Sequence, residues 1–371
     1  VGVCQSDVPS CWYYRAHGPA KVLHDRGELE LVELPPMLRV RFANRRYGEP
    51  EPVGLVEVPR VDVVVFVRGV FPLRMHDIIR FLQREGVAVV VDYDDAYDRL
   101  PSQLHSLYKI NPQANPYYNW RNALAAAKLA DVVTVSTPAL RRYRPDAVLL
   151  RNCMPRRYLR LGRRALETRD GKLVGWSGVI AGHPGDLRQC RSGVAEALRA
   201  TGAWFLNVGD GAGVQQELGL DEPPEVSGVV GFLDYPKHLA RLDVGIAPLV
   251  LDEYRDQGKS FLKPLESLAL GSQYVASPSS EYRLLQRQLE DFCARGGATV
   301  PGQLAGAKGR HWKRALLAAL GAASTAAGRE QLAETAQAFV AEHWLMEDRA
   351  HLWGEAYELA AERRHRVPAL S

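Results

Sequence analysis

The chain has 371 residues, 46% of them hydrophobic and 24% charged, with a net charge of +4; that balance belongs to a globular protein, too long for one ordinary core and sufficient for two domains. No apolar run reaches the length of a membrane span, and the five cysteines, at 4, 11, 153, 190 and 293, are odd in number and scattered, which excludes a disulfide scaffold and a cysteine zinc module and points to a reduced, cytoplasmic setting. The charge is uneven: residues 1–165 hold 25 Lys and Arg against 17 Asp and Glu, the remainder 22 against 26, so either the first part faces an anionic partner such as nucleic acid, phospholipid or an acidic glycan, or surface variation has produced the bias.

The opening residues, Val1 to Cys4, read as a strand and not as a charged leader followed by an apolar core. Trp12-Tyr-Tyr-Arg15 precedes a predicted helix. Val61 to Arg68 is a continuous apolar run of strand type, Leu73 to Glu85 is helical, Gly86 ends that helix, and Val87 to Val91 returns as a strand. This βαβ unit recurs with a helix over Asn122 to Leu129 and strands at Val132 to Val135 and Val148 to Leu150, so the first domain, residues 1–165, reads as a doubly wound sheet. Arg156 to Asp170 is arginine-rich without strand pattern and is the expected linker. Leu173 to Trp176, Trp204 to Val208, Val229-Val230, Val244 to Ala247 and Gln273 to Ser277 are the strands of a second sheet, in a domain over 166–344. Ala305 to Val340 is alanine-rich and helical, and a last helix over Leu345 to Arg363 carries Leu352, Trp353 and Tyr357.

Chemistry-bearing residues cluster in four places. Lys259, Lys263 and Glu266 fall on one face of a helix predicted to start at Ser260 as N-cap, with Pro264 in its first turn and Gly271 ending it. Cations beside free helix amides hold a phosphate or diphosphate, and a carboxylate one turn deeper suits a polyol such as ribose; a solvated helix face is the alternative. Gly175-Trp-Ser-Gly178, with His183 and Asp186, places glycines after the first strand of the second domain, where backbone amides approach a phosphate closely. Asp92, Asp94 and Asp95 follow a strand and by themselves admit two chemical readings: they bind a divalent metal, or Asp92 acts as the nucleophile and Asp94 as the acid of a haloacid-dehalogenase-type phosphohydrolase; an acidic loop capping a helix is the structural alternative. Finally, Tyr13, Arg15, Trp120 and Arg121 combine aromatics with cations, a mixture that stacks on sugars or bases and equally fills the rim of any cleft, while Arg141, Arg142, Arg144, Arg151, Arg156, Arg157, Arg160, Arg163 and Arg164 form a basic series able to follow a phosphate backbone.

Ile246 to Leu249, Lys259-Ser260, Lys263, Glu266, Gly271 and Ser277, together with Asp92 to Asp95, Asp131 to Thr137, Asn152, Gly175 to Gly178, His183, Asp186 and Val208 to Asp210, resemble the retaining GT-B glycosyltransferases, most closely the single-chain enzymes of bacteria and bacteriophages. The resemblance implies an α/β GT-B architecture of two Rossmann-like domains with an interdomain cleft, an acceptor-binding first domain onto which the C-terminal helix, 345–371, packs back, and a donor-binding second domain. It implies a nucleotide-sugar co-substrate, a UDP-sugar, with no metal. Donor binding would fall to Gly178, His183, Asp186, Gly209, Asp210, Tyr235, Lys259, Ser260, Lys263 and Glu266. Catalysis would fall to Glu266, Lys263, Lys259, Asp94, Asp95 and His183, and acceptor binding to Tyr13, Arg15, Asp92, Asp94, Trp120 and Arg121. Relatives of this kind carry two glutamates eight positions apart; the earlier position here is Gly258, which leaves a non-catalytic nucleotide-sugar-binding protein as a reading from another class. For the acceptor, the basic first domain points to a hydroxymethylated pyrimidine in duplex DNA, with a cell-envelope glycan or small molecule as the alternative.

Overall fold

The computed structural model describes all residues except 7, 37, 39, 44–50, 56–59, 69 and 367–371; the end of the C-terminal segment expected at 345–371 therefore lies outside the described residues. The chain divides into two compact units. The first comprises 1–102, 106–152 and 346–371, and the second 103–105 and 153–345.

The first unit is built on a six-stranded parallel sheet of β1 (Gly2–Cys4), β2 (Val32–Leu34), β5 (Val63–Val67), β6 (Ala88–Tyr93), β7 (Val132–Val135) and β8 (Val148–Leu149), in the order β2-β1-β5-β6-β7-β8. A separate antiparallel pair, β3 (Val40–Ala43) and β4 (Glu51–Leu55), lies between β2 and β5 in the chain. Every residue of β5 and β6 is buried. A strand covered on both faces reads as an unbroken apolar run, and that is why these two were legible. The connecting helix, Met75–Arg84, places Met75, Ile78, Ile79 and Leu82 on its buried face at helical spacing. Tyr13 lies in a π-helical segment, Tyr13–His17, so the aromatic stretch is itself helical and does not merely precede a helix. The helix His351–Arg366 packs on β6 and β7, and the Trp353 indole donates to the Arg15 carbonyl at 2.7 Å.

The second unit repeats the plan with β9 (Leu173–Ser177), β10 (Trp204–Val208), β11 (Glu225–Val226), β12 (Val244–Ala247), β13 (Gln273–Ala276) and β14 (Gly302–Leu304), all parallel, in the order β11-β10-β9-β12-β13-β14. Its core joins Val174, Trp176, Val244, Ile246 and Val275 from the sheet to Trp312, Leu316 and Leu320 of the helix Gly309–Ala322. That helix crosses Arg191–Thr201 at Gly193, where a methyl group would collide with the Gly309 carbonyl.

Three expectations are corrected. Val229-Val230 is not a strand: Val229 is 80% exposed after Gly228, and the edge strand is β11, paired with Leu206 and Asn207. The expected linker contains a helix, Arg156–Leu166, that belongs to the second unit, and the chain passes between units at Asn152–Cys153. Its arginines hide a buried helical face of Tyr158, Leu159 and Gly162. Third, the helix expected to begin with Ser260 as N-cap is Leu262–Ala269, preceded by Phe261, and an unexpected helix, Glu253–Gly258, comes before it. Lys259 to Phe261 are the turn between the two.

Candidate functional site

In each sheet the strand order reverses direction at one point: between β1 and β5 in the first, and between β9 and β12 in the second. The carboxyl ends of strands at such a point open a crevice, and open α/β sheets bind ligands there.

At the second switch point the chain leaves β9 through Gly178 and leaves β12 towards the helix Leu262–Ala269, whose first turn carries Lys263. The Lys263 ammonium lies 5.1 Å from the Trp176 ring centroid and 3.4 Å from His183 Nε2. The His183 ring packs edge-on to Trp176 with centroids 5.5 Å apart, and its Nδ1 is 3.0 Å from Asp186 Oδ2. Asp186 is fully buried; its other oxygen accepts from the Val250 amide at 2.8 Å and from Arg255 Nε at 2.9 Å. Arg255 also bonds Asp252 and the Pro184 carbonyl. Asp186, expected to touch the donor, thus acts from behind: it fixes the His183 ring and has no face to offer a ligand.

Burial, with the Lys263 charge adding to it, lowers the His183 pKa to about 4. The ring is neutral at pH 7, donates from Nδ1 to Asp186 and accepts from Lys263 through Nε2. Lys263 is itself brought down to about 8, first by desolvation and also by Lys259. One cation, desolvated on an indole face and braced by a neutral imidazole, is held where an approaching anion would restore its full charge.

The His183 shift has a measurable consequence. The unfolded chain takes up this proton near the ordinary value of 6.5, the folded chain only near 4, so stability is complete above about pH 6.5 and falls as pH drops towards 4. In urea melts at pH 4.5 and 7.5, His183→Asn should lose less stability between the two than the native chain does; an equal loss contradicts the assignment.

Glu266, one turn further along the helix, is 3% exposed and accepts from the Tyr235 hydroxyl at 3.1 Å. Burial and this carboxylate hold the Tyr235 phenol well above its usual range. Gly178 and Gly209 meet at the ends of β9 and β10: a methyl group on Gly209 would collide with the Gly178 carbonyl, and one on Gly178 would meet Trp176 and His183. Asp210 is exposed and accepts from the Ala212 amide at 3.2 Å. Lys259 lies 4.9 Å from the Tyr254 ring centroid, on the turn with Ser260. Gly178, His183, Lys263 and Asp186 are therefore brought together, as are Tyr235 and Glu266. Trp176 and Arg255 are functional neighbours that sequence reasoning left without a role. Trp176 stands inside the glycine motif, whereas Arg255 carried only its i,i+3 spacing from Asp252 as a signal.

The first sheet corrects two acceptor assignments. Asp92 lies inside β6, fully buried, and pairs with Arg15 at 2.8 Å; the same guanidinium bonds the Leu150 carbonyl and Asn152 Oδ1, and Thr134 Oγ1 donates to Asp92 at 2.6 Å. Both charges are enclosed by the unit, so neither presents itself to an acceptor. Asp95 is also buried, at 8% exposure. Asp94 reaches the sheet edge, where Oδ1 accepts from the Tyr97 hydroxyl at 2.6 Å. Tyr13 is half-buried, and the exposed Arg121 stacks over Trp120 at 5.4 Å.

No family model and no curated protein matches the sequence. Solved structures do share the fold. A glycosyltransferase from Rickettsia africae aligns with a TM-score of 0.59 at 10% identity, covering 99% of this chain and 98% of that one. AviGT4, a glycosyltransferase involved in avilamycin A biosynthesis, aligns with a TM-score of 0.56 at 14% identity over 98% of each chain. Anabaena HepE in complex with UDP gives 0.54 at 13% identity, over 96% of this chain and 98% of that one. The chain has the fold of GT-B glycosyltransferases, with two Rossmann-like parallel sheets.

Proposed function

We propose that the protein is a retaining glycosyltransferase that moves a sugar from a UDP-sugar to a hydroxyl acceptor, with the donor on the second unit and the acceptor on the first. The observation that carries this reading is the Lys263, His183 and Trp176 group beside the Glu266–Tyr235 pair at the second switch point. Lys263 and the first amides of its helix meet the charge that develops on the departing diphosphate. Glu266, its carboxylate already ordered by Tyr235, takes the ribose hydroxyls. The UDP complex of Anabaena HepE, which shares the fold, supports the choice of base. Retention, by attack on the face the diphosphate leaves, is what the motif resemblance implies.

A sugar or polyol is the favoured acceptor. A DNA acceptor would call for a basic first domain, but the first compact unit holds 24 Lys and Arg against 22 Asp and Glu, because Arg156, Arg157, Arg160, Arg163 and Arg164 belong to the second. Of the remaining series, Arg142 pairs with Asp98 and Arg144 with Asp146.

The test is a turnover screen of the full chain with UDP-, GDP-, ADP- and dTDP-sugars, each alone, with methyl glycosides, and with hydroxymethylated duplex DNA. UDP release accelerated by a glycoside and indifferent to salt is the expected result. A hexose-mass increase on the DNA nucleosides, suppressed by salt, would replace the acceptor and keep the enzyme. Binding without turnover of any donor would establish the non-catalytic reading that Gly258 raises.

A further inference from the structure

We propose that Arg169 is a positioning residue that sets the approach of Tyr235 to Glu266, and with it the grip on the donor ribose, from the opposite edge of the second sheet; this rests on the glycosyltransferase reading. The two partners stand on different helices, Tyr235–Leu239 and Leu262–Ala269, and meet through the Tyr235 hydroxyl and Glu266 Oε2 at 3.1 Å. The first helix leads into β12 and the second into β13. Those strands are parallel neighbours, so both helices end at the amino edge of the sheet, away from the site.

With five and eight residues, neither helix holds itself, and the last carbonyls of each need partners. Arg169 supplies them for both. Its Nε and Nη2 donate to the carbonyl of Ala240, the C-cap of the first helix, at 2.8 and 2.5 Å. At the end of the second helix Nη2 donates to the Leu270 carbonyl at 2.7 Å and Nη1 to that of Gly271 at 2.8 Å. Arg169 is buried, and its hydrogen bonds among the described residues all go to these carbonyls. Burial brings its pKa down to about 10, so the guanidinium is charged at pH 7 and is balanced by Asp243 and by the negative ends of two helix dipoles.

An arginine that caps one helix stabilises that helix; one that caps two fixes the distance between them. The Glu266 carbonyl accepts from the Leu270 amide at 3.1 Å, and Tyr235 opens the helix that Ala240 closes. A shift at either helix end is therefore carried to the carboxylate or to the phenol. Gln337 provides the contrast within the same core. Its Nε2 donates to the Ala269 carbonyl at 3.2 Å and to the Leu159 carbonyl at 2.9 Å, so it secures the second helix but not the first.

The test uses the full chain with Arg169→Gln, Arg169→Lys, Gln337→Ala and Tyr235→Phe, and UDP and 2′,3′-dideoxy-UDP as probes, by calorimetry well below each variant's melting temperature. UDP should weaken about tenfold in Arg169→Gln and the dideoxy analogue by less than about twofold, because only the hydroxyl contacts depend on the pair. Tyr235→Phe should add no further loss in the Arg169→Gln background. Arg169→Lys keeps the charge without the fork that reaches both helix ends, and should fall between. Gln337→Ala should lower the melting temperature and leave the ratio of the two affinities as in the native chain. Equal native affinity for the two nucleotides, equal weakening of both in Arg169→Gln, additive losses with Tyr235→Phe, or an altered ratio in Gln337→Ala would overturn the proposal. If Arg169→Gln does not fold, the same ratio in Arg169→Lys decides. Should the native chain bind no UDP, the donor reading fails by itself, and the Tyr235 Cζ carbon resonance of the free protein, assigned with Tyr235→Phe, decides the role of Arg169: a shift in Arg169→Lys with none in Gln337→Ala supports it, and an unmoved resonance overturns it.

Discussion

Lys263→Ala should lower kcat/KM for UDP release from UDP-glucose by about 10²–10³-fold, the usual loss when one preorganised donor to a developing anion is removed. The geometry makes the residue more than a surface charge: its ammonium is held over Trp176 and braced by His183. Because the free protein holds Lys263 near 8, kcat/KM should decline above about pH 8 as the ammonium is lost, while kcat, measured with the diphosphate in place, should decline at higher pH. Lys263→Arg should keep part of the activity and abolish the basic limb, since a guanidinium stays charged throughout. Pre-steady-state and steady-state UDP release from pH 6 to 10 decides the matter. A threefold or smaller effect of Lys263→Ala, or a limb at pH 8 that persists in Lys263→Arg, would remove the residue from the chemistry.

The second large effect concerns stability. Asp92→Ala takes the carboxylate away from the enclosed Arg15 guanidinium, which keeps the neutral Leu150 carbonyl and Asn152, and takes the acceptor from Thr134. Breaking one side of a buried pair costs about 3–5 kcal/mol, much of it the penalty of the stranded charge. Replacing both members, as Arg15→Met with Asp92→Leu, should recover most of that loss. Asp94→Ala, which takes the acceptor from the buried Tyr97 hydroxyl, should cost about 1–3 kcal/mol and so less than Asp92→Ala. Hydrogen exchange of the Val89 to Val91 amides reports on this sheet directly. If those amides exchange in Asp92→Ala as they do in the native chain, the pair is not what holds β6.

The contrast between Asp92 and Asp94 shows where sequence reasoning ran out. Both sheets were legible because β5, β6, β10 and β12 are short apolar runs with helical periods between them, and the Gly271 helix end was legible from its residue type, confirmed by φ +69. His183 and Asp186, three positions apart, meet through a local spacing. Arg15 and Asp92 are 77 positions apart, and nothing near either of them announces the other. The helix Arg156–Leu166 was hidden for a different reason: arginine composition outweighed a three-residue apolar face, one member of which is a glycine admitting the Leu270 carbonyl. Arg169 had no signal, since the carbonyls it holds lie 71 to 102 positions along the chain.

The first unit is assembled from separated stretches of the chain: residues up to 152 and again from Met346, with His351–Arg366 lying on β6 and β7 and Trp353 bonded to the Arg15 carbonyl. A ribosome delivers some two hundred intervening residues between those parts, roughly 10–40 s at ordinary elongation rates. Through that interval the nascent Arg15 and Asp92 lack their roof, while the second unit, one nearly continuous stretch, is free to collapse as it emerges. Of the two sheets, the one made first is thus completed second, waiting for a chaperone or for the helix His351–Arg366.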